Sequence, residues 1–106
     1  MAKWIKDCPR FGIVREMIDN DNETLESCKN ILNELIACCN DLTPDSDQDW
    51  DFYGDFDTLR DDIEDSIASL EEFDYEECEN VTNYFLREFY DLCDHARVWL
   101  PLYRRG

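Results

Sequence analysis

Three glycines and three prolines in 106 residues leave few breaks in this chain, and 43% hydrophobic with 13% aromatic content argues against disorder despite a formal net charge of −17. No run of about eighteen apolar residues occurs, so no membrane-spanning helix is expected. The opening MAKWIKDCPRFGIV holds neither an uninterrupted apolar stretch nor a small-residue cleavage site, and does not read as a secretory signal. Also missing are a glycine-rich phosphate loop, an HExxH pair and a GxSxG elbow. The single histidine, His95, is badly oriented to activate Cys93 from the same helix, so catalysis is not expected. These absences describe one soluble, cytoplasmic domain over residues 1–106, long enough for one core and too short for two.

Basic residues are the most unevenly distributed. Between Asp41 and Glu79 stand seventeen Asp and Glu against one base, Arg60, a local net charge of −16 out of the chain's −17. The flanks are close to neutral and carry small basic clusters, Lys3, Lys6, Arg10 and Arg15 at one end and Arg97, Arg104 and Arg105 at the other. An acidic block of this kind repels nucleic acid and anionic membranes and attracts proteins that bind nucleic acid.

Period places the block on helices. Phe11, Val14 and Ile18 predict a short first helix after Pro9, and Asp21 or Asn22 is placed to cap a second. From Leu25 through Cys28, Ile31, Leu32, Leu35, Ile36, Cys39 and Leu42 the apolar spacing of three and four predicts a helix of about five turns, ended by Thr43-Pro44. Asp45 to Asp55 reads as an acidic loop carrying Trp50, Phe52 and Tyr53. Phe56, Leu59, Ile63, Ile67, Leu70 and Phe73 line a third helix, with Phe56 facing the core. Asp74 with Glu77 forms a capping box that opens a fourth, lined by Cys78, Val81, Phe85, Phe89, Leu92, Ala96 and Trp99 and stopped near Pro101. No strand pattern survives. The expected fold is an all-α, small irregular antiparallel bundle of about four helices, with the acidic loop between helices two and three.

The acidic loop fails as a calcium site. An EF-hand loop starting at Asp45 would put Trp50 where glycine must be and Phe56 where the bidentate glutamate must be. Starting at Asp49, it would put Arg60 at that glutamate position. Six cysteines in so short a chain are, in a reducing compartment, thiols or metal ligands rather than disulfides. In an up-and-down bundle Cys8 lies near Cys38 and Cys39 and level with Cys93 and His95. These five residues are the candidate ligands of a structural Zn2+ site, while Cys28 and Cys78 meet at the opposite end as buried thiols. Against the metal, Cys93 and His95 point about 200° apart on a regular helix, and buried cysteine is common as a small apolar side chain.

Seventeen units of net charge exceed what solubility requires and cost stability through self-repulsion, which points to a cationic partner. The residues expected to meet it are Asp45, Asp47, Asp49, Trp50, Asp51, Tyr53, Asp55, Asp57, Asp61, Asp62 and Asp65, carboxylates interleaved with aromatic anchors. In size, charge and lack of catalytic motifs the chain resembles the small acidic phage-encoded proteins that inhibit nucleic-acid enzymes by imitating DNA, above all the anti-CRISPR inhibitors of Cas9. That resemblance implies a phage protein acting in the host cytosol, whose carboxylates replace phosphates on a basic surface and block DNA loading. Two other expectations stand beside it: a zinc-stapled interaction adaptor, and a divalent-cation-binding protein.

Overall fold

The apolar three-and-four spacing that begins at Leu25 becomes the central helix of the molecule, and the other elements arrange themselves around it. The computed structural model describes residues 6–20, 23–42, 50–70, 74–96 and 98–100. In chain order these form β1 (Lys6–Asp7), α1 (Phe11–Asp19), α2 (Leu25–Asp41), α3 (Trp50–Ser69), α4 (Tyr75–Ala96) and β2 (Val98–Trp99). The fold is an all-α bundle of four helices. It also carries one two-residue parallel ladder that the sequence did not announce, Lys6 opposite Val98 and Asp7 opposite Trp99.

Contacts fix the helix directions. The start of α1 meets the end of α2 through Arg10, bonded to Glu34 and Asp41, while Met17 and Asn20 border a surface groove with Ser27 and Asn30 at the start of α2. The end of α2 meets the middle of α3 through Asn40 and Arg60, and Phe56 early in α3 meets Phe89 late in α4. Cys28, early in α2, shares a pocket with Tyr75, Glu79 and Thr82 of the first turns of α4. Each helix is therefore antiparallel to its sequence neighbour, and α2 runs parallel to α4.

Local chemistry accounts for most of the boundaries. Before α1, the N–H groups of Phe11, Gly12 and Ile13 donate to the carbonyls of Cys8, Pro9 and Arg10 at 3.1, 3.0 and 2.9 Å, so the chain turns tightly over Pro9. Asn20 ends α1, its side-chain amide donating to the Glu16 carbonyl at 2.9 Å. The turn then passes through Glu23 at φ 58°, a left-handed conformation that disfavours a residue with a Cβ. Thr24 caps α2 by accepting from the Ser27 N–H at 3.1 Å; the expected caps Asp21 and Asn22 lie outside the described residues. Asp74 caps α4 as expected, accepting from the Glu77 N–H at 2.9 Å.

Two boundaries differ from expectation. Helix α3 opens at Trp50, so the second half of the anticipated acidic loop is its first turns; Asp residues there face the positive end of the helix dipole and favour helix over loop. At the other end α4 stops at Ala96, and Val98–Trp99 turns into β2 instead of extending the helix. The anticipated end of the third helix at Phe73 and the stop at Pro101 lie outside the described residues.

The core joins all four helices. Phe11 of α1 stacks on Phe89 of α4 with ring centroids 5.4 Å apart, and Phe56 of α3 meets the same Phe89 edge-on at 5.8 Å. Leu32 and Leu35 of α2, Ile63 of α3 with Leu70 just after it, and Val98 and Leu100 after α4 are fully buried with them. The buried hydroxyl of Thr82 is satisfied by donating to the Cys78 carbonyl at 2.8 Å.

Candidate interaction surface and thiol cluster

Two features of the molecule concentrate chemistry: the outward side of α3, and the place where the ends of α2 and α4 meet the chain just before α1.

On α3, Phe56, Leu59 and Ile63 form the buried stripe, continued by Leu70 just past its end, and Asp55, Asp61, Asp62, Glu64 and Asp65 are exposed on the far side, with Asp57 half-buried at its margin. From Asp55 to Asp65 the axis advances ~15 Å, so six carboxylates less one arginine give about one net charge per ~3 Å. A single DNA strand carries one per ~3.4 Å. Arg60 is the only base in this segment. Its guanidinium reaches Asp57 at 2.6 Å, Asp61 at 3.1 Å and Glu64 at 3.5 Å, and donates to the Asn40 side chain at 3.1 Å. Hydrogen bonding to Asp61, then the charges of Asp57, Asp61 and Glu64, hold its pKa above the ordinary arginine value. Asp55, Asp62 and Asp65 have no ion pair or hydrogen bond among the described residues. Past the α3–α4 junction Asp74, Glu76, Glu77 and Glu79 are also exposed on the opening turns of α4.

Of the residues expected to meet a partner, Asp55, Asp57, Asp61, Asp62 and Asp65 are thus gathered on one helix. Trp50, Asp51 and Tyr53 occupy its first turns instead of a loop, and Asp45, Asp47 and Asp49 lie outside the described residues. Sequence reasoning missed Arg60 as the group that ties Asp57, Asp61 and Glu64 together. The signal was available, since Asp57, Asp61 and Glu64 stand at −3, +1 and +4 from it.

The second feature is a set of thiols. Cys8, Cys38, Cys39 and Cys93 are each at most 1% exposed, and Cys8 alone of the four is not on a helix. The β1–β2 ladder brings the chain just before Cys8 alongside the segment that follows Cys93. Pairing with the Cys38 side chain, outweighing burial, lowers the Cys8 pKa, and the same pairing together with burial raises that of Cys38. Burial first, then the charge of Cys8, pushes Cys39 up to about 12, and the same causes raise Cys93. Four of the five expected metal ligands are accordingly neighbours in one buried region. The fifth, His95, is exposed on α4 while Cys93, two residues away, is buried. Among the described residues no three Cys, His, Asp or Glu side chains are grouped so as to hold a metal ion. Cys28 and Cys78, the other two thiols, are buried, with Cys28 near the first turns of α4 where Cys78 lies.

Among the described residues no helix is long and apolar enough to cross a membrane. No protein-family model, curated protein or solved structure matches the chain.

Proposed function

We propose that the protein is a non-enzymatic acidic inhibitor that binds a nucleic-acid-handling protein through the outer side of α3 and keeps nucleic acid off the basic surface it covers. The observation that carries this reading is the strand-like charge density from Asp55 to Asp65, displayed on one helix with a single arginine against it. Carboxylates at that spacing meet arginines arranged for phosphates, and paired N–H donors of arginine suit a carboxylate as well as a phosphate. The resulting field speeds encounter and orients docking, while like charge excludes nucleic acid from the same site. Resemblance in size and charge to the anti-CRISPR inhibitors makes a CRISPR effector such as Cas9 the partner to try first, because its heteroduplex channel is basic.

The test is loading of target DNA onto a Cas9–guide RNA complex in the presence of this protein, over a salt series. Inhibition that fades as salt rises is expected. Reversing Asp61, Asp62 and Asp65 to Lys should weaken inhibition on the order of 100-fold, at about 1 kcal/mol per residue reversed, with helicity unchanged. An undiminished effect of the triple variant would remove the α3 face from the account. Failure on Cas9 with salt-sensitive capture of another nucleic-acid enzyme would change the target and keep the mode.

A further inference from the structure

We propose that the cleft between α1 and α4 binds a small organic monocarboxylate with an apolar body, its head held by Arg15 and Arg87 and its body laid on Ile18, Leu86 and Tyr90. The acidic face of α3 plays no part in it.

Helix periodicity builds the cleft. Asn83, Leu86, Arg87 and Tyr90 recur at three and four along α4, and Arg15 and Ile18 stand three apart on α1, so each set shares one face of its helix. Phe11, at the start of α1, stacks on Phe89 and meets Tyr90 edge-on at 5.3 Å, which joins the two helices at that end. Beyond this contact the six residues line a surface cleft of about 430 Å3. That is within the ~300–1,000 Å3 usual for small-molecule sites.

Charge, surface and position together say what fits. Arg87 is exposed and makes no ion pair or hydrogen bond among the described residues, and Arg15 reaches Asp19 only at 3.8 Å. Two guanidinium groups so little engaged on one cleft suit a carboxylate, which accepts paired N–H donors. Between them the wall is apolar: Leu86 is buried, Ile18 half-buried, and the half-buried Tyr90 ring is braced by Phe11. A bare ion would leave that wall in water, whereas a hydrocarbon body covers it. Past Asn83 the cleft continues to Glu23 and Glu79, whose carboxylates keep out a second negative charge and so select a monoanion. Helices α2 and α4 pack on each other with α1 and α3 to either side, so the cleft is turned away from the aspartates of α3. Over a screening length of ~8 Å their field fades before it reaches the arginines.

The test is titration of the full chain with naphthoate, followed by backbone amide NMR shifts, with naphthamide as the uncharged counterpart. Saturable binding with shifts centred on Ile18, Asn83 and Arg87 is expected, and naphthamide should bind about tenfold more weakly. Arg15→Gln and Arg87→Gln should each weaken naphthoate about tenfold and leave naphthamide unchanged. Lys29→Gln makes the same change of net charge on α2 and should alter naphthoate binding by less than about twofold, which separates local contact from overall charge. The amide spectrum of each variant reports its folding, and the comparison of the two ligands on the unaltered chain stands without them. Any of four outcomes would overturn the proposal: no saturation up to about 10 mM naphthoate, naphthamide binding as tightly as naphthoate, Lys29→Gln as damaging as Arg87→Gln, or shifts centred outside the cleft.

Discussion

In the α1–α2 hairpin both arginines are paired with carboxylates of the hairpin itself. Arg10 reaches Glu34 and Asp41 on the neighbouring helix, and Arg15 lies 3.8 Å from Asp19. On α3 one arginine faces three carboxylates while Asp55, Asp62 and Asp65 point outward without ion pairs among the described residues. Both regions pack on the same aromatic core, so the difference lies in the side chains displayed and not in the frame beneath them. On the function proposed above, the net charge left unneutralised on α3 and continued at the opening of α4 is the feature that suits a cationic partner.

The largest effect should come from breaking the shared frame. Phe89 touches Phe11 from the hairpin side and Phe56 from α3, so Phe89→Ala removes one ring from two aromatic pairs. A loss of about 3–5 kcal/mol is expected, a large part of the stability of a domain this size. Hydrogen exchange should then accelerate in α2 and α3 together. Faster exchange in only one of them would show that the hairpin and the acidic helix are separately stable units.

Alkali should act next most strongly, and at the thiol end. The Cys39 thiol titrates near 12 in the folded protein against 9.0 for an ordinary thiol, and Cys93 and Cys38 are raised as well. A thiol whose folded pKa is raised contributes fully below the unfolded value and loses that contribution as pH climbs from 9 towards 12, because the unfolded chain gives up protons the folded chain keeps. For Cys39 alone three pH units correspond to as much as about 4 kcal/mol. Cys8, with its pKa lowered, works in the opposite sense and keeps its contribution above pH 9. Urea midpoints measured from pH 8 to 11 should fall, and less steeply in Cys39→Ala. Parallel curves for the two proteins would contradict the assignment.

Binding tests the contrast directly. Against the ~100-fold loss expected for Asp61, Asp62 and Asp65 reversed to Lys, the same reversal at Glu16, Asp19 and Glu26 of the hairpin should change affinity only a few-fold, through long-range field alone. Equal losses would mean that overall charge, and not the α3 face, is what the partner senses.

Much of the bundle was legible in the sequence because its signals are local. The spacing from Leu25 to Leu42 placed α2 within a residue of its observed end, and Asp74 with Glu77 located the start of α4. Up-and-down order sets Cys8, Cys38, Cys39 and Cys93 toward one end of the bundle, but among the described residues no three such side chains are grouped so as to hold a metal ion. Misreadings arose where local and tertiary signals compete. The aspartate-rich run from Asp45 to Asp55 reads as a loop because aspartate is disfavoured in strands, yet at a helix start the dipole favours acids, and α3 begins at Trp50. Val98–Trp99 forms β2 because Lys6–Asp7 is alongside, a pairing across ninety residues that no window of sequence contains. His95 was grouped with Cys93 by position in the chain, whereas two residues of helix turn it to the outside.

The smallest effects are the most discriminating, because the two arginines should fail differently. Arg10 ties the approach to α1 to Glu34 and Asp41 of α2 from an exposed position, so Arg10→Gln should lower stability only slightly and leave partner binding unchanged. Arg60→Gln removes the counter-charge among Asp57, Asp61 and Glu64 and the bond to Asn40, and should cost a similar amount. It also makes the α3 face one unit more negative, so association with a basic partner should quicken by a few-fold at low salt, and the gain should vanish as salt rises. Stability and binding would then move in opposite directions at Arg60 and only stability would move at Arg10. Slower association for Arg60→Gln would instead make the arginine part of the recognised surface, holding its three carboxylates in the arrangement the partner reads.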